Sequence, residues 1–95
     1  MTDSNEIYDS VWEAIEDTPA EAENLRIRAA LMREITEYIR RGSLTQSAAA
    51  KLFGVTQPRI SDLVRGKIDL FSIDALVNML TAAGLHLDLR IREAS

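Results

Sequence analysis

Five side chains between positions 57 and 62 have the chemistry to read the edges of base pairs. Gln57 can bond adenine through two hydrogen bonds and Arg59 can do the same to guanine. Pro58 has no donor, so it either touches a thymine methyl or simply stiffens the start of a helix. Ser61 and Asp62 follow as the next outward positions. Asp62 can accept from a cytosine amino group, although an ion pair with Arg59 or Arg65 is the simpler expectation. Around this group lie side chains suited to phosphate: Gln46, at a helix start whose N–H groups point outward, and the cations Arg65 and Lys67. Each is also an ordinary surface residue when taken alone, and their combination with the elements that carry them favours nucleic acid.

Those elements are two short helices across a corner, Leu44–Lys67. Thr45 starts the first, Ala48, Ala49 and Ala50 form a small-residue stripe leading to Leu52, and Gly54 supplies the left-handed residue that ends it. Thr56 caps the second, with Val55, Ile60, Leu63 and Val64 inward and Gln57, Arg59, Ser61, Asp62 and Arg65 outward. This pattern predicts a helix-turn-helix.

The remaining chain has to support that pair. Thr18-Pro19-Ala20-Glu21 starts a helix of roughly 20 residues, with Pro at a position where its missing N–H costs nothing. Leu25, Ala29, Met32, Ile35 and Ile39 share one face, and Arg40, Arg41 and Gly42 mark its end. Lys67 to Leu70 reads as a connector. Ser72 caps a further helix from Ile73 to about Ala83, whose inward stripe is Phe71, Ile73, Leu76, Val77 and Leu80, ended by Gly84. Residues 85–92 then alternate apolar and polar, with Leu85, Leu87, Leu89 and Ile91 on one side, which predicts a half-buried strand.

No second strong strand pattern exists for it to join. A lone strand leaves its backbone donors and acceptors open, so pairing with its own copy in an antiparallel homodimer is the economical expectation. A two-fold at Leu89 sets Asp88 against Arg90, His86 against Arg92 and Leu87 against Ile91. The alternative partner is the stretch from Ile7 to Trp12. That stretch also reads as a short helix, with Ser10 and Glu13 at capping-box spacing and Tyr8, Val11, Trp12 and Ile15 on one face. Val11, Trp12 and Ile15 then become anchors for docking on this chain, a second copy or another protein, since so short a helix does not hold alone.

Charge divides the 95 residues in the same way. Residues 1–24 carry eight acids and no base, whereas residues 25–67 carry nine bases and three acids, so the net charge of −4 hides a basic centre. The organisation is an acidic arm at 1–17 and one domain at 18–92 that includes the terminal strand. The chain has no Cys, which fits a reducing cytoplasm, and no apolar run long enough for a membrane. His86 stands alone, and neither a phosphate loop nor a Ser/His/Asp arrangement is present. The expectation is no enzyme, no metal and no cofactor.

LTQSAAAKLFGVTQPRISDLVRGK, Leu44–Lys67, resembles the helix-turn-helix of the Cro/cI-like (XRE) regulators in its L-T-Q, L-x-G-V, I-S-x-L and R-G-K elements. The resemblance implies a mainly α, lambda-repressor-like bundle. Its base-reading positions carry over to Gln57, Pro58, Arg59, Ser61 and Asp62, and its phosphate-contacting positions to Gln46, Thr56, Arg65 and Lys67. Val64 departs from the family's frequent Glu and adds apolar surface beside the second helix. The wider layout, from V-W-E-A-I at residue 11 through F-S-x-x-x-L to the alternating terminus, is similar to the HigA-type antitoxin branch. That likeness implies a dimer that binds a double-stranded DNA operator, represses its own operon and neutralises a small ribonuclease toxin. The alternative is a stand-alone or phage-type XRE regulator without a toxin. A ribonuclease holds RNA on a basic surface, so an acidic arm carrying Trp12 suits it.

Overall fold

The computed structural model describes residues 18–93. In chain order it contains helices α1 (Pro19–Arg41), α2 (Gln46–Phe53) and α3 (Gln57–Val64), a 3-10 turn at Ile68–Leu70, and helix α4 (Ile73–Ala82). The expected arm at 1–17, with Val11, Trp12 and Ile15, lies outside the described residues.

All four helices begin on the hydroxyl residue expected from the sequence. Thr18, Thr45, Thr56 and Ser72 have extended backbones, and their side chains accept from the N–H groups of Glu21, Ala48, Arg59 and Ala75 at 3.0–3.4 Å. Each cap offers an acceptor to a first-turn donor, and at α3 the Arg59 N–H is shared between the Thr56 hydroxyl and the Thr56 carbonyl, the latter at 3.1 Å. The four C-termini also share one solution, in which the chain turns left-handed and an N–H reaches back five residues. Leu44 donates to Ile39, Val55 to Ala50, Lys67 to Asp62 and Leu85 to Leu80, at 2.9–3.1 Å. Gly54 makes this turn between α2 and α3, with φ of +70°. After α1 the left-handed residue is Ser43, with φ of +52°, while Gly42 stays right-handed. The stop signal at Gly42 is therefore displaced by one position from the turn itself.

One core joins the helices. Ile35 from α1, Ala49 and Phe53 from α2, Ile60 and Leu63 from α3, Phe71, and Leu76 from α4 are all buried to 1 % exposure or less. The expected face of α1 is buried at Met32, Ile35 and Ile39, but Leu31 joins it, while Leu25 and Ala29 are half-buried. On α4 the sequence stripe misses Met79, which is buried, and includes Ile73 and Val77, which are half-buried. The reason is that α4 packs against both α1 and α2, so its covered face is wider than one stripe. On α2, Ala49, Ala50 and Phe53 face inward, whereas Ala48 is exposed and Leu52 half-buried. The Phe53 ring meets Tyr38 edge to face at 6.0 Å between centroids.

Two expectations are corrected. Val64 is 36 % exposed, on a groove with Ala29, Met32, Leu63 and Ile68, because Ile60 and Leu63 already fill the inward face of an eight-residue helix. Residues 85–93 form no strand. Leu85 packs on the core, but Leu87, Leu89 and Ile91 are progressively exposed, the last at 96 %. The physical reason lies in the backbone: a strand needs a ladder, and no neighbouring segment among the described residues supplies one.

The corner at Gly54 predicts a definite mutational outcome. A Cβ there would meet the Ala82 Cβ at 3.3 Å, in addition to the left-handed cost. Gly54→Ala should therefore lower unfolding free energy by about 1–2 kcal/mol in urea titrations.

Candidate nucleic-acid interface

The second helix of the pair, α3, carries its polar residues along one face that begins at the end following the corner. Thr56 fixes that end, Gln57 and Pro58 occupy its first turn, and both are exposed. Gln57, Ser61 and Arg65 follow at successive four-residue steps, and Pro58 is one step from Asp62, so these five make one helical face. Ser61 and Asp62 are half-buried on it, while Arg65 is exposed. Of the expected phosphate contacts, Gln46 stands exposed at the first position of α2, and Thr56 and Lys67 flank α3, also exposed.

Arg59 is placed differently from the expectation. It is half-buried at the margin of the inward face, and its guanidinium carbon lies 4.2 Å from the centroid of the Phe71 ring. Such stacking contributes from about 0.5 kcal/mol when exposed to about 2 kcal/mol when desolvated. Among the described residues its guanidinium forms no hydrogen bond and no ion pair. Asp62 likewise pairs with neither Arg59 nor Arg65. Its carboxylate lies 3.6 Å from the Lys67 ammonium, because the chain folds back after α3 and brings Lys67 over the last turn.

The basic excess of residues 25–67 is divided by these contacts. Arg26 bonds Glu23 within α1, and this bond holds the Glu23 carboxyl below the ordinary carboxylate range. Arg40 does the same to Glu37 at 2.5–2.6 Å. Arg28 bonds the Asn24 amide oxygen at 2.7 Å and the Ile68 carbonyl at 3.3 Å, tying α1 to the 3-10 turn. These cations are intramolecular ties. Arg33, Lys51 and Arg65 are exposed, with no carboxylate at ion-pair distance among the described residues. Lys51 was not singled out from sequence. Its signal is its place on the exposed face of α2, three and four residues after Ala48 and Ser47.

No group of three or more potential metal ligands occurs among the described residues, and no helix there is long and apolar enough to cross a membrane. What the arrangement can do is present a short polar helix end, with an adjacent helix N-terminus and flanking cations, to an anionic surface that carries hydrogen-bonding edges.

Comparison with known proteins agrees with this geometry. No curated protein sequence matches the chain significantly. A solved structure whose description assigns it provisionally to the XRE family of transcriptional regulators superposes with a TM-score of 0.70 at 31 % identity, covering 78 % of this chain and 83 % of that one. Residues 14–92 match the family described as a helix-turn-helix domain. The chain therefore belongs to the helix-turn-helix domain family, in its XRE type.

Proposed function

We propose that this protein is a DNA-binding transcriptional regulator that reads an operator in the major groove with the N-terminal end of α3. The observation that carries this reading is the exposed Gln57-Pro58 turn, held outward by the Thr56 cap and the Gly54 corner on a buried Ile60–Leu63 anchor. Gln57 reads a base edge, while Gln46, Thr56, Arg65 and Lys67 hold the sugar-phosphate backbone. Regulation of this kind places the protein in the cytoplasm.

The finer reading is a repressor that acts as a homodimer. Its support is the apolar row Leu87, Leu89 and Ile91, left uncovered in a single chain, with alternation that suits an antiparallel pair. In such a dimer, two copies of α3 meet half-sites whose centres lie roughly 34 Å apart or a multiple of it. The acidic residues 1–24 support a second role, as the antitoxin that covers a basic ribonuclease toxin and represses the operon encoding both.

Three measurements test these readings. Gln57→Ala should weaken operator binding by about 1–3 kcal/mol and relax preference at one base pair, whereas Arg65→Ala should weaken all sequences equally and flatten the salt dependence. Absence of any salt-dependent duplex binding would overturn the DNA reading. Sedimentation at micromolar concentration should give a dimer, and Leu89→Asp with Ile91→Asp should return it to monomer; a monomeric wild type sinks the dimer. Purification of the native operon product should bring down a small basic protein that a chain lacking residues 1–17 no longer retains. Retention by the truncated chain removes the arm from that role.

A further inference from the structure

We propose that Phe71, which precedes α4 and is remote in sequence from the recognition helix, is a positioning residue that sets the base specificity of Arg59. The inference rests on the DNA reading above and goes beyond it in naming how one base contact is aimed.

The geometry gives each partner one function. Phe71 is 1 % exposed, so its ring is held in place by the core. The Arg59 guanidinium lies against that face at 4.2 Å. The N–H donors of a guanidinium lie in the plane of the group, and one laid on a ring face keeps them for other partners. Among the described residues no acceptor takes the guanidinium donors of Arg59. A half-buried cation held over a ring, with its donors untaken among the described residues, suits a planar acceptor pair supplied from outside, such as O6 and N7 of guanine.

The backbone adds to the restraint. Arg59 donates its own N–H to Thr56, to the carbonyl at 3.1 Å and the hydroxyl at 3.4 Å, in the first turn of α3, so the root of the side chain is held by the cap and its tip by the ring. A free arginine loses much rotamer freedom on binding, and one already restrained at both ends loses less. The same restraint narrows the directions in which the donor edge can point. Phe71 thereby favours one base over others without touching the duplex. Lys at position 59 has no planar edge and would not substitute.

The full-length chain is tested against a pool of duplexes randomised across two half-sites, with the bound fraction sequenced. Wild type should enrich guanine at one position per half-site, and Arg59→Ala should abolish that preference alone. Phe71→Leu should lose the same preference by about tenfold, while other positions and the overall salt-dependent affinity stay within about twofold. Phe71→Tyr, which keeps the ring, should retain it. In the proton NMR spectrum of free wild type, the Arg59 δ-methylene should be shifted upfield by the ring. A Phe71→Leu protein that folds and keeps the guanine preference overturns the proposal, as does an unshifted Arg59 methylene in wild type or a loss of the preference in Phe71→Tyr. If Phe71→Leu fails to fold, the last two readouts decide. If wild type enriches other positions but Arg59→Ala changes none, the proposal fails while the DNA reading stands. If wild type enriches nothing, both fail.

Discussion

An eight-residue helix does not hold its shape in water, and this protein depends on two of them standing at a fixed angle. Burial of Ile60 and Leu63 in one core cluster with Phe53, Phe71 and Leu76 supplies what local hydrogen bonding cannot. Each fully buried side chain of this size contributes about 1.5–3 kcal/mol, which outweighs the small propensity differences within α3. The corner at Gly54 then needs only to set direction. Its left-handed backbone lets Val55 reach back to Ala50 and delivers Thr56 in position to cap the next helix. Core, corner and cap act together, so the polar end of α3 is presented by a rigid body.

The same economy governs charge. A basic centre on an acidic chain suggests a nucleic-acid surface, yet several of its cations are ties within the fold. Arg26 and Arg40 hold carboxylates one turn away, and Arg28 fastens the 3-10 turn to α1. Exposed pairs of this kind contribute little stability, on the order of 0–1 kcal/mol. Their effect here is to reduce the cations available outward to a smaller set that includes Arg33, Lys51 and Arg65, with Arg59 oriented by an aromatic face. A net count of bases overstates the electrostatic footprint, since a paired cation neutralises its partner before it can attract a phosphate.

Residues 85–93 show the opposite situation, in which the sequence pattern is strong and the partner is elsewhere. Alternation of Leu87, Leu89 and Ile91 with Asp88, Arg90 and Arg92 specifies two faces, but a strand's backbone groups need a neighbour. The segment passes Glu23, Arg26 and Ile27 at the start of α1 without pairing, and its apolar side chains remain uncovered. In the proposed dimer these residues would be buried by the act that places two recognition helices on one duplex.

The sequence by itself determined the local events. Hydroxyl caps at Thr18, Thr45, Thr56 and Ser72 are legible because a cap bond forms within three residues of its own donor, and the Gly54 corner because few residues tolerate its φ. Most of the inward stripe could be read from periodicity, and so could the exposed Gln57-Pro58 turn. Only the tertiary structure decided that Met79 and Leu31 are buried while Val64 is not, since α4 lies between two helices and α3 is covered on one side. It also decided the fate of the charged side chains. Asp62 meets Lys67 rather than Arg59 or Arg65, and Arg59 turns toward Phe71, twelve residues away, because long flexible side chains go where the fold places a partner. Spacing along a helix fixes which residues share a face, and packing fixes what that face meets.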